Sequence, residues 1–206
     1  MGNQIQIKNI FPTPIGIIKV PPYFSNIIPI LEKFEHNDSE EQRSLIGTRS
    51  TNSYVLNDIN LKPFKKFILQ QSLDYGKHIN VSCSKYKITQ SWITYKSPNE
   101  SHAPHTHPNS IISGIFYWGK TDENTPPITF HKPIVTNTWE IQPSFLNMVS
   151  FYELNVIPGN IILFPSFLPH SVRPNNTSLI RKSLSFNIVP KKGFGDEEYS
   201  TELKFN

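Results

Sequence analysis

Alanine is nearly missing from this 206-residue chain: Ala103 stands alone against 26 Ile, 19 Asn and 16 Lys. A helical bundle or coiled coil needs Ala, Leu and Glu in quantity, so that class is excluded. Arginine is scarce too, with Arg43, Arg49, Arg173 and Arg181 the only four among 20 basic residues. A single cysteine, Cys83, permits no internal disulfide and fits a reducing compartment. The apolar runs, such as 161–164, are far too short to span a bilayer. The N-terminus shows no basic stretch followed by an apolar one, and Gln6 stands where a myristoylation signal needs Ser or Thr. A soluble, cytoplasmic protein without a membrane partner is expected. The net charge of +4 is spread with no basic block, which argues against nucleic acid. Oligomeric state stays open, a dimer included.

What is present is β-branched and aromatic, broken by 18 Pro and 9 Gly, and this favours a mainly β protein. Helical spacing of apolar residues marks two early helices, at about 22–34 and 61–79. Strands are expected at 5–10 and 15–20, and then in close succession at 85–95, 111–118, 127–131, 145–154, 160–164 and 180–189. In the first of that series Tyr86, Ile88, Gln90, Trp92 and Thr94 alternate onto one face. Short strands separated by Pro- and Asn-rich turns read as a β-sandwich or jelly roll. The expected fold is α+β, mainly β: a double-stranded β-helix (jelly roll, cupin-like) supported by N-terminal helices. It is read as one domain over 1–206, with strands and helices at 1–84, the jelly-roll core at 85–190 and a tail at 191–206.

Three of the seven histidines fall within six residues, in Ser101-His-Ala-Pro-His-Thr-His-Pro108. In an extended segment His105 and His107 project to the same side. A third ligand is offered by His170, just beyond the apolar strand 161–164. Three imidazoles on one side with open positions suit iron, zinc, copper or nickel. His102 and Asn109 compete with His107 for the second position, and His131 is a candidate for the surroundings.

Eleven residues after His170 comes Arg181, and alternation places Arg181, Ser183, Ser185 and Asn187 on one face, with Leu184, Phe186 and Ile188 on the other. An arginine among Ser, Ser and Asn is a poor packing choice. It is a good receptor for a dicarboxylate, because a guanidinium grips a carboxylate through two parallel N–H bonds.

The ordered set Trp92, His105-Thr-His107-Pro108, Ile112-Ser-Gly-Ile-Phe-Tyr-Trp118, Gly159-Asn-Ile-Ile-Leu-Phe-Pro-Ser166, Pro169-His170-Ser-Val and Arg181-x-Ser183-x-Ser-Phe-Asn187 resembles the 2-oxoglutarate- and Fe(II)-dependent oxygenases. The nearest likeness is to the group seen in bacteria and their phages, distantly related to prolyl hydroxylases. The opening Ile10-Phe-Pro-Thr-Pro14 is similar to the start of that group. The resemblance implies Fe(II), 2-oxoglutarate as co-substrate and O2, with His105 and His170 as iron ligands. It implies Arg181 and Ser183 on the distal carboxylate of 2-oxoglutarate, joined by Tyr117, which shares a face with Ser113 and Ile115. Trp92, Asn187, His102 and Ser113 become candidates around the metal or substrate. One departure stands out: the common pattern is His-x-Asp or His-x-Glu, and here that second ligand position is His107. Three neutral imidazoles leave more positive charge on the metal than two plus a carboxylate.

The activity implied is hydroxylation of a C–H bond with release of succinate and CO2, with a peptidyl residue such as proline the first substrate by analogy. Substrate contacts are expected from 96–104, 139–147 and the tail. Two other readings stand beside it. A cupin-like three-His dioxygenase without 2-oxoglutarate accommodates His107 but gives Arg181 no task. A non-catalytic β-sandwich binding module leaves the histidines to zinc or to nothing.

Overall fold

The computed structural model describes residues 12–37, 47–81, 83–132, 151–196, 198 and 200–205. The expected strand at 5–10 and the segment 139–147 lie outside them. The N-terminal part holds β1 (Gly16–Lys19), α1 (Ile28–Leu31), β2 (His36–Asn37), β3 (Thr48–Ser50) and α2 (Lys62–His78). Then come β4 (Tyr86–Lys96), β5 (His102–His105), β6 (Ile112–Trp118), β7 (Ile128–His131), β8 (Phe151–Leu154), β9 (Asn160–Pro165), β10 (His170–Val172) and β11 (Arg181–Pro190). The chain closes with β12 (Gly193–Asp196) and β13 (Ser200–Lys204), a hairpin where sequence suggested only a tail.

From β4 to β11 the chain passes between two antiparallel sheets. One has the order β1-β9-β6-β11-β4-β3-β2 and the other β5-β10-β7-β8. Strands 4, 6, 9 and 11 lie in the first and 5, 7, 8 and 10 in the second, which is the double winding of a jelly roll. β11 is the spine, paired with β4 on one side and β6 on the other.

The large sheet has two different faces. Ile93, Tyr95, Leu184, Phe186, Ile188, Ile161 and Leu163 pack on α2 through Phe64 and Ile68, both fully buried. Burying each such side chain contributes about 1.5–3 kcal/mol. The opposite face meets the small sheet in a second apolar cluster of Tyr117, Ile162 and Phe164 with Ile128, Phe130 and Leu168. Close approach within the first core requires Gly114: a Cβ there would lie 2.3 Å from the Phe186 ring and 2.7 Å from Leu163.

The structure departs from the sequence expectation in two further places. The first helix is split into a 3-10 segment, Pro22–Ile27, and the single turn of α1. Pro29 has no N–H to continue the ladder, which accounts for the break. In β4 the register shifts: Asn187 pairs with Gln90 but Ile188 with Ile88, leaving Thr89 as an extra residue. This bulge turns Tyr86 and Ile88 toward the helix-side core, so they do not share a face with Gln90, Trp92 and Thr94. Among the described residues no helix is long and apolar enough to cross a membrane.

Candidate metal and co-substrate site

His170 opens β10 directly opposite His105 at the end of β5, and His107 follows two residues on, its backbone N–H held by the Ser166 carbonyl at 3.0 Å. One ring nitrogen from each of His105, His107 and His170 falls within 4.8 Å of the others. His107 Nε2 and His170 Nε2 face one another at 3.2 Å. Two nitrogens about 2.1 Å from one ion and at a right angle to each other lie about 3.0 Å apart, so this pair fits a shared metal. Two of the remaining ring nitrogens are engaged as ligands require. His105 Nδ1 donates to the Ala103 carbonyl at 2.9 Å and His170 Nδ1 to the Leu168 carbonyl at 3.0 Å. A carbonyl can only accept, so each bond fixes the tautomer that leaves Nε2 a free lone pair.

The imidazoles are also held neutral. Burial, and then the neighbouring His105, bring His170 down to about 3. Burial, His105 and Arg49 bring His107 to about 4, and burial lowers His105 as well. Neutral imidazole is the form that binds a metal, so no proton has to be displaced at neutral pH.

The two competing positions resolve differently. His102 stacks on His105 with ring centroids 3.9 Å apart and lies outside the three-nitrogen set. Asn109 sits in a left-handed turn (φ 58°) at the rim. His131 turns to Ser171, with Nε2 2.8 Å from its hydroxyl.

The cluster lies midway along a cavity floored by β4 and β11. The facing pairs run Arg181–Lys96, Ser183–Thr94, Ser185–Trp92 and Asn187–Gln90. The narrow compartment, about 40 Å³, is lined by the three histidines and, at its end, by Arg181, Ser183, Thr94 and Lys96. Arg181 is buried, its Nε donating to the Pro126 carbonyl and its Nη2 to the Tyr117 hydroxyl, both at 3.1 Å. Tyr117 is fully buried behind the guanidinium and does not line the cavity; burial raises its pKa. Ser113 is covered as well, donating to Asn187 Oδ1 at 2.9 Å.

The tail expected to contact substrate forms its own hairpin around a separate hollow lined by 192–205, with no residue of this cavity. Of the lining residues, Lys96 was expected only as the start of the substrate-contacting segment 96–104, and Arg49 escaped the sequence reading. Lys96 is buried beside Arg181, donates to the Ser101 carbonyl, and has its pKa lowered to about 8 by burial and then by Arg181. It continues the alternation Trp92, Thr94 by two positions, which was the signal available. Arg49, on β3, places its guanidinium 4.6 Å from the Trp92 ring centroid. Nothing in its local sequence marks it.

Residues 90–187 match the protein family described as "Putative 2OG-Fe(II) oxygenase". Curated protein sequences provide no match. Among solved structures the fold is similar to a Pseudomonas putida prolyl-4-hydroxylase (12% identity, 86% of this chain and 93% of that one, TM-score 0.56). It is also similar to the epimerase SnoN in complex with Fe3+, alpha-ketoglutarate and nogalamycin RO (10%, 94% and 91%, TM-score 0.63). A third likeness is to HygX from Streptomyces hygroscopicus with nickel, 2-oxoglutarate and hygromycin B bound (8%, 86% and 83%, TM-score 0.56). The matched segment begins at Gln90 and ends at Asn187, so it carries the three histidines and most of both cavity-floor strands, and over that segment the chain is similar to the 2OG-Fe(II) oxygenases.

Proposed function

We infer that the protein is an Fe(II)- and 2-oxoglutarate-dependent dioxygenase that hydroxylates a C–H bond and releases succinate and CO2. The observation that carries this reading is a buried arginine, Arg181, at the closed end of the cavity that holds the three histidines. His105, His107 and His170 would hold the iron, which when bound supplies activation of O2. Among the described residues Arg181 has no carboxylate partner; it donates to a carbonyl and a hydroxyl. A buried guanidinium so placed is completed by a carboxylate from a ligand.

The chain's own work is binding and exclusion of water. Arg181 and Ser183 take the distal carboxylate, while Tyr117 and the Pro126 carbonyl hold the guanidinium from behind. The narrow space beside Arg181 leaves no room for bulk water around that ion pair, which strengthens it. Three neutral imidazoles give the metal no compensating charge, so the dianionic co-substrate supplies it. A three-His enzyme without 2-oxoglutarate leaves Arg181 without a partner, which disfavours that reading. By analogy with the P. putida enzyme, a prolyl group is the first moiety to try.

Anaerobic titration with Fe(II), with and without 2-oxoglutarate, tests this. A visible charge-transfer band that needs both, and succinate once air is admitted, is the expected result. Absence of both band and succinate would sink the proposal.

A further inference from the structure

The cavity has a second end. Beyond the histidines it opens into a compartment of about 400 Å³ lined by Arg49, Gln90, Trp92, Pro108, Asn109 and Asn187. Trp92, Thr94, His102, His105 and His107 line both compartments, so the histidine cluster stands between them. From Arg181 to Asn187 the floor runs six residues of β11, about 20 Å. An arginine therefore stands at each end, Arg181 in the narrow one and Arg49 in the wide one.

Arg49 is half-buried, and one face of its guanidinium is covered by Trp92. Of its five N–H donors one reaches Ser53 Oγ at 3.3 Å. Among the described residues it makes no other hydrogen bond and no ion pair, and none of the residues lining the wide compartment carries a carboxylate. Trp92 in turn lies against His107, ring centroids 5.7 Å apart, so Arg49, Trp92 and His107 form a layered series leading to the metal position. A second donor joins them. Ser113 donates to Asn187 Oδ1, which fixes the amide and leaves Nδ2 without a protein acceptor among the described residues. Asn187 lines the same compartment.

We propose that the wide compartment binds the substrate to be oxidised, and that this substrate is a small molecule with a free carboxylate. The carboxylate pairs with Arg49, the Asn187 amide donates to it or to a neighbouring carbonyl, and the body lies along Trp92 toward His107. This rests on the dioxygenase reading and names the substrate class of that same site. A carboxylate fits better than a phosphate, because among the described residues lining the compartment there is one guanidinium and no lysine. A single negative charge matches it, and a planar acid suits its planar fork. A proline inside a peptide carries no carboxylate at that place and leaves Arg49 unused.

The test uses paired probes on protein saturated anaerobically with Fe(II) and 2-oxoglutarate, so that Arg181 is occupied. Benzoate and N-acetyl-L-proline are compared with benzamide, N-acetyl-L-prolinamide and phenyl phosphate, by tryptophan fluorescence and calorimetry. Each acid is expected to bind at least tenfold more tightly than its amide. Arg49→Met should remove that preference, and Arg49→Lys, which keeps the charge without the fork, should reduce it. If the Met variant melts early, the Lys variant carries the comparison. Four results would each overturn the proposal: no saturable binding of either acid, acid and amide binding alike, a preference that survives in Arg49→Met, or tighter binding of the phosphate. Calorimetry of 2-oxoglutarate on the Fe(II) protein reports separately on the dioxygenase reading. Its failure in wild type refutes that reading, and the Arg49→Met comparison then decides whether the acids pair with Arg49 or with an open Arg181.

Discussion

Replacing Arg181 by Met should cost co-substrate binding far more than folding. In the ligand-free protein Arg181 is 4% exposed and, among the described residues, its guanidinium faces a hydroxyl and a carbonyl rather than a carboxylate. A buried charge without its counter-ion is costly, and replacing buried ionic groups by apolar ones of similar size is often neutral or favourable by about 1–4 kcal/mol. Against this, Tyr117 and Pro126 each lose a hydrogen bond, about 1 kcal/mol apiece. The two effects nearly cancel, so the ligand-free melting temperature should move by no more than about 6 °C. Binding of 2-oxoglutarate behaves otherwise, because its distal carboxylate then enters a dry pocket with no partner. That loss is about 3 kcal/mol, roughly a hundredfold in Kd. The assay is calorimetric titration with 2-oxoglutarate on the Fe(II) protein under argon, beside thermal melts of the ligand-free protein. A variant that melts far lower yet keeps its affinity for 2-oxoglutarate would show Arg181 to be a structural ion, and the reasoning would fail.

Three further outcomes follow from named contacts. His107→Ala should weaken Fe(II) binding by tenfold or more while His102→Ala changes it less than threefold; the reverse order in a metal titration would exchange their roles. Gly114→Ala forces a methyl into the Phe186 ring and should cost about 1–3 kcal/mol, read as a lower urea midpoint with unchanged slope. Burial acts to raise the Glu32 pKa, but hydrogen bonds from Lys182 and Trp118 outweigh it and hold the carboxyl below its ordinary 4.5. A lowered carboxyl pKa gives stability that is present above 4.5 and lost as pH falls through the lower folded value. Because the pair is partly exposed, Glu32→Gln should remove no more than about 1 kcal/mol at pH 7 and nothing at pH 2, and an equal loss at both would contradict the ion pair.

Much of the site was legible because strand alternation is a strong local rule. It placed Arg181, Ser183, Ser185 and Asn187 on the cavity face of β11 and Leu184, Phe186 and Ile188 in the core, as observed. The same rule misled in β4, where Thr89 bulges and reverses the faces of Tyr86 and Ile88; a bulge leaves no periodic trace in so short a window. Arg49 was invisible for a different reason. β3 has three residues, too few to alternate, and its place beside Thr94 is set by pairing across 45 positions of sequence. Tyr117 was correctly placed on the inner face, but burial depth is a tertiary property, and it sits behind Arg181 rather than in the cavity.

The central claim is that three imidazoles hold iron while Arg181 holds the far end of 2-oxoglutarate. Anomalous diffraction at the iron edge, from crystals grown anaerobically with Fe(II) and 2-oxoglutarate, tests it most directly. The account predicts one iron peak about 2.1 Å from a nitrogen of each of His105, His107 and His170, with a 2-oxoglutarate carboxylate against Arg181. Iron held without His107, or 2-oxoglutarate bound away from Arg181, would contradict it.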